Sequence, residues 1–106
     1  MLGLQNTFDI SDWRSNVRSR RERVRTIIAR ATVGGEPLEP IIEQLRSALG
    51  AQCMDAAEMN LLNVTIHDIR TVVRGWSQLP DFERNQFLAG KGAPSSLAAR
   101  IRKCRG

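Results

Sequence analysis

The chain has 106 residues, 42% of them hydrophobic, and a formal net charge of +5 set by fourteen Arg and two Lys against eleven acidic residues. That length suits one domain with a modest core, and that hydrophobic fraction excludes wholesale disorder. No apolar run approaches the roughly 20 residues of a membrane span, and no basic and then apolar leader follows Met1, so a cytoplasmic protein off the membrane is expected.

Helical periodicity runs through the whole chain, with no strand-like alternation. Ile10, Trp13, Val17, Val24, Ile27 and Ala31 fall at spacings of three and four, interrupted where Arg20 takes a seam position. They predict a first helix over about residues 11–33, with Ser11 or Asp9 at its N-cap and Asp12 at the positive end of its dipole. Gly34-Gly35 should end it, because glycine accepts the left-handed conformation there. A second helix is expected from Pro37, with Leu38, Ile41, Ile42, Leu45, Ala48 and Leu49 on one face and Gly50 as its stop. The third is long, about residues 54–75. Met59, Leu62, Ile66, Ile69, Val73 and Trp76 make its stripe, widened by Leu61 and Val72. Pro80 opens a short helix with Phe82, Phe87 and Leu88. The Gly90-Lys91-Gly92-Ala93-Pro94 loop leads to a last helix capped by Ser95 or Ser96, with Leu97, Ile101 and Cys104 on one side. The fold class is therefore an all-α helical bundle in a single domain, with an arginine-rich N-terminal helix (1–35) and a helical hairpin plus short helices (36–106). Two long stripes are much apolar surface for so short a chain. A homodimer built on the long central helix is expected, and a self-sufficient monomer is the alternative.

Charge is distributed in blocks. Residues 1–33 hold seven Arg against three acids, residues 34–68 one Arg against six, and residues 69–106 eight cations against two. Arg14, Arg18, Arg21 and Arg25, spaced four, three and four apart, would line one face of the first helix, broadened by Arg20, Arg23 and Arg30. Guanidinium forks bind phosphate bidentately, and a row of them can follow a nucleic-acid backbone. The same face could instead be solvated, or meet the acidic second helix through Glu36, Glu39 and Glu43. Arg70 and Arg74 lie one turn apart late in the third helix, where the dipole alone favours cations. Arg100, Arg102, Lys103 and Arg105 form a second basic cluster beside Lys91.

Catalytic and cofactor chemistry finds no footing. His67 stands alone beside Asp68, without a nucleophile or a recognisable orienting set. Cys53 and Cys104 lack metal-ligand spacing and read as two reduced thiols. Gly90-Lys91-Gly92 lacks the GxxxxGK[ST] spacing of a phosphate loop and has no strand before it. Trp13 and Trp76 read as core or interface anchors. The expectation is a non-enzymatic protein with no cofactor, no metal and no small-molecule substrate. The helix after Gly50 is too apolar to read bases, so binding should follow shape and backbone, for which duplex RNA is the common target.

From about residue 36 the chain resembles the B2 proteins of insect nodaviruses, small helical dimers that bind double-stranded RNA and suppress host RNA silencing. The resemblance lies in Ala48-Leu49-Gly50-Ala51-Gln52-Cys53-Met54-Asp55-Ala56 before a long helix, in Phe87-Leu88-Ala89-Gly90-Lys91-Gly92-Ala93-Pro94, and in Leu97-Ala98-Ala99-Arg100-Ile101-Arg102-Lys103. It implies an antiparallel homodimer that lays its long helices along one face of an RNA duplex, with Arg70 and Arg74 in the basic region late in the long helix. The chain departs from that pattern in the acids of its long helix (Asp55, Glu58 and Asp68) and in its arginine-rich first helix. Double-stranded RNA and a second copy are thus the expected partners, with Arg14, Arg18, Arg21, Arg25, Arg70 and Arg74 as the expected RNA contacts. The competing expectation is a small phage or bacterial interaction module docking its basic helix on an acidic protein.

Overall fold

A computed structural model describes residues 10–53 and 55–105, without the side chains of residues 10–12, 104 and 105. Among the described residues there are six α-helices and no strand. The helices are α1 (Ile10–Ser15), α2 (Val17–Ala31), α3 (Leu38–Gly50), α4 (Ala56–Arg74), α5 (Asp81–Leu88) and α6 (Pro94–Arg105), with a short 3-10 turn at Trp76–Gln78. Helix α4 is the axis of the bundle. α6, α2, α3 and α1 pack around it, and α5 closes against α2.

The expected first helix is two helices. Asn16 adopts an extended backbone (φ −108°, ψ 90°), and its side-chain oxygen accepts from the Ser19 N–H at 2.9 Å. Asn competes well for the cap position and poorly for a helix interior, so the chain breaks there although the three-four spacing runs on. The break turns Trp13 fully into the core while α2 buries Val24, Ile27 and Ile28. Val17, expected on the stripe, is left 45% exposed. Arg20 has a use at its seam position: Nη1 donates to the Trp13 carbonyl at 2.5 Å and to the Arg14 carbonyl at 3.4 Å. These carbonyls at the end of α1 have lost their helical donors, and the guanidinium replaces them. The proposed Asp9 cap lies outside the described residues, and Ser11 sits within α1 rather than ahead of it.

Downstream, local signals and structure agree closely. Gly35 takes φ +69°, and a Cβ on Gly34 would stand 2.7 Å from the Arg30 carbonyl oxygen, so both glycines end α2. Pro37 precedes α3, and Pro80 precedes α5. Asp55 caps α4 by accepting from the Glu58 N–H at 2.9 Å. α6 differs: it starts at Pro94, so Ser95 and Ser96 lie in its first turn instead of capping it. Pro at the first helical position gives up an N–H that would have had no partner.

One core joins all of this. Ile41, Ile42, Leu45 and Leu49 of α3 meet Leu62, Ile66, Ile69 and Val72 of α4, together with Trp13, Val24, Ile28, Phe87, Ala98 and Ile101. The α4 stripe is thus covered within a single chain. Met59, expected on the stripe, is exposed on the outer side of α4, and Phe82 on α5 is 68% exposed. Trp76 falls in the 3-10 turn, where its ring meets Phe87 edge-on at 6.0 Å between centroids. At Gly75 a Cβ would stand 2.5 Å from Ile101 Cγ2, so the missing side chain is what lets α6 lie against the end of α4.

Candidate nucleic-acid interface

The ion pairs decide where the positive charge is free. Nine carboxylates have described side chains, and an arginine lies within 4.0 Å of each. Glu58 and Asp68, which would have made the long helix acidic, are turned inward and largely buried. Arg14 Nη1 donates to Glu58 at 3.0 Å and lies 4.0 Å from Asp55, while Arg102 reaches Asp68 at 3.5 Å. The outer face of α4 therefore carries Asn60, Asn63, His67, Thr71 and Arg74, with Val64 among them. These positions repeat at three and four along the helix, so they form one stripe, neutral to basic.

The six arginines chosen from sequence do not form one row. The break at Asn16 puts Arg14 on α1, where it faces the start of α4. Arg18 and Arg21 are exposed on α2, and no described residue pairs with either. Arg25 is only 8% exposed. Its guanidinium pairs with Glu22, donates through Nη2 to the Gly92 carbonyl at 3.3 Å, and lies over the Phe87 ring at 5.4 Å. It ties α2 to α5 and the loop after it, with little left to offer solvent. Arg70 grips Glu39 of α3 through two donors, at 3.0 and 2.7 Å. Arg74 is exposed one turn further on. The acidic second helix thus neutralises arginines of α4 and α3, and Arg30 at the end of α2 takes Glu36, bonding at 2.7 Å. On the N-terminal half of α2, Arg18 and Arg21 are left with no carboxylate within ion-pair distance among the described residues. Arg20, expected to broaden the basic face, is tied instead to the Trp13 and Arg14 carbonyls. Burial, and then the neighbouring Arg21 charge, lowers its guanidinium from the ordinary value.

A groove of about 190 Å³ connects the two surfaces. Val17, Arg20 and Arg21 of α2 form one wall, and Leu61, Val64 and Thr65 of α4 form the other. The free arginines of α2 thereby flank the outer stripe of α4. In the C-terminal cluster, Arg100 is held by Glu83 at 2.6 Å and Arg102 by Asp68, which leaves Lys91 and Lys103 exposed and without a carboxylate partner among the described residues.

The exposed pairs carry a small pH dependence. The Arg30 hydrogen bond holds the Glu36 carboxyl below its ordinary value, and the Arg70 hydrogen bond does the same to Glu39. A depressed folded pKa adds stability that is complete above the unfolded value of 4.5 and is lost as pH falls through the folded value. The melting temperature should hold from neutrality down to about pH 5 and then decline. In the double variant Glu36→Gln, Glu39→Gln that decline should be shallower, as thermal melts between about pH 7 and pH 3 would show.

Among the described residues no three His, Cys, Asp or Glu side chains come together as a metal site would require. His67 faces outward while Asp68 turns in to Arg102, so the two neighbours make no dyad. Cys53 donates to the Leu49 carbonyl at 3.4 Å, and burial, then the charges of Glu58 and Asp55, push its thiol up. A raised thiol pKa makes a poor nucleophile. No described helix is long and apolar enough to cross a membrane.

No protein-family model, curated protein or solved structure matches this chain. None of these comparisons links the chain to the nodavirus family.

Proposed function

We infer that the protein binds double-stranded RNA through its phosphate backbone, without sequence preference, and acts as a suppressor of RNA silencing in the cytoplasm of a virus-infected cell. One observation carries the binding: every described carboxylate has an arginine within 4.0 Å, while Arg18 and Arg21, exposed on α2, have no carboxylate at that distance, and the exposed Arg74 on α4 acts on Glu39 only from further away. Unpaired, exposed guanidiniums are the groups that release counterions from phosphates. The neutral stripe of Asn60, Asn63, His67 and Thr71 between them offers donors and acceptors for 2′-hydroxyls, and it lacks the repulsion that Glu58 and Asp68 would impose if they faced out. The silencing role is supported by the motifs shared with the nodavirus family, as is an antiparallel homodimer. Since the α4 stripe is buried within one chain, a dimer seam must use apolar side chains left exposed, among them Val17, Met59, Val64 and Phe82. No chemical step belongs to this function.

A second reading has its own support. The α2–α4 groove carries apolar side chains, Val17 45% and Val64 49% exposed, beside Arg20, Arg21 and an Asp68 already paired with Arg102. Apolar contact framed by guanidiniums suits an acidic protein segment better than a phosphate backbone. Gel-shift titration with one random-sequence duplex, as RNA and as DNA, at about 150 mM salt separates the two, since backbone binding persists there only with several phosphate contacts. Tight RNA binding and much weaker DNA binding, with dimer mass by light scattering, is the expected result. No shift with either nucleic acid leaves the protein-docking reading in its place.

A further inference from the structure

The loop dismissed as a phosphate loop on its spacing lies against the free arginines of α2. A groove of about 430 Å³ runs between them, lined by Arg18, Arg21, Glu22 and Arg25 on one side and by Gly90, Gly92 and Ala93 on the other. Three observations converge on it. Glu22 is committed to Arg25, so the groove keeps the two positive charges of Arg18 and Arg21 unneutralised. Arg25 is nine-tenths buried, and its Nε has no hydrogen-bond partner among the described residues. The loop takes φ +95° at Gly90 and +88° at Gly92, and no described residue accepts from the Gly92 or Ala93 backbone N–H. Fixed donors beside a net charge of two are the recipe for a dianion, and successive backbone N–H groups in such turns favour anionic oxygens.

We propose that this groove is a site for a phosphomonoester, the dianionic group that ends a nucleic-acid strand at its 5′ side. A phosphomonoester carries close to two negative charges at neutral pH, against one for each backbone phosphodiester, so the groove matches a strand end better than strand interior. Arg18 and Arg21 grip the non-bridging oxygens, and the turn supplies backbone N–H groups. The assignment of the strand end rests on the RNA-binding reading above, whereas the phosphate site itself does not.

The experiment uses the full ¹⁵N-labelled chain. Sodium phosphate replaces sodium chloride at constant ionic strength and about pH 7.5, where the monoester is dianionic, while the Arg Nε–H signals and the Gly90, Gly92 and Ala93 amides are followed. Saturable shifts confined to these groups, abolished in Arg21→Gln, are expected. Shifts no larger than those from sulfate, or unchanged in Arg21→Gln, would overturn the site. A duplex with 5′-phosphates should then bind about tenfold tighter than the same duplex ending in hydroxyls, the worth of one charge-assisted bidentate contact. Equal affinities alongside saturable phosphate binding overturn the strand end as the source and leave free phosphate as the ligand. If no duplex binds and phosphate still saturates the groove, the RNA reading falls and the phosphate site stands.

Discussion

The double reversal Arg18→Glu, Arg21→Glu should weaken duplex RNA binding about 100-fold at about 150 mM salt, by the same factor for unrelated sequences. Both side chains are exposed on α2 and neither has a described partner, so the change removes two attractive charges and adds two repulsive ones without touching the core. The slope of log affinity against log salt should flatten by about two units, since each lost phosphate contact withdraws close to one released counterion. Thermal stability should stay near that of the parent chain, because surface substitutions away from caps and buried pairs change little. The informative contrast is Arg30→Glu, at a cation already neutralised by Glu36, where the loss in binding should be several times smaller. Unchanged affinity in a folded double variant would reject α2 as the contact surface and turn attention to the protein-docking reading. Arg25 is unsuited to such a test. It holds Glu22, Gly92 and the Phe87 ring together, so replacing it would confound binding with folding.

Leu62→Ala should cost about 2–5 kcal/mol of stability and leave the mass by light scattering that of the parent chain. Leu62, Ile66, Ile69 and Val72 are buried inside one chain, beneath α2, α3 and α6. Truncating Leu62 leaves a cavity that a packed helix cannot close, and each kcal/mol should lower the melting temperature by about 4–8 °C. Had the stripe been the seam between two copies, the same substitution would split the dimer. Light scattering on the parent chain and the variant tells the cases apart. A dimer that survives Leu62→Ala with unchanged mass must be held by residues outside this stripe.

Much of the architecture could be read from the chain because its signals are local. Gly34-Gly35, Pro37 and Pro80 bound helices through the φ and hydrogen-bonding limits of their own residues, and the stripes of α3 and α4 follow from spacing alone, whereas Asp55, expected inside the long helix, caps it. Within one helix, period and burial are nearly the same information. That equivalence failed at Asn16, where an intact three-four pattern crosses a cap. Pattern spacing registers only which residues are apolar, whereas the break depends on one side-chain hydrogen bond and on the carbonyls that Arg20 satisfies across it. It failed again for Met59, which α4 turns outward.

The candidate site divides along the same line. The sequence by itself determined that the N-terminal third is rich in arginine, that the middle is acidic, and that the molecule as a whole carries surplus positive charge. Only the tertiary structure decided which arginines remain available. Glu58 reaches Arg14 across 44 positions, Asp68 reaches Arg102 across 34, and Glu39 reaches Arg70 across 31, while Gly92, 67 positions away, helps to bury Arg25. Charge is a property of each residue and can be counted along a chain. Its neutralisation depends on distances of a few ångströms between segments far apart in sequence, and those distances exist only once α1, α2, α3 and α6 have packed around α4.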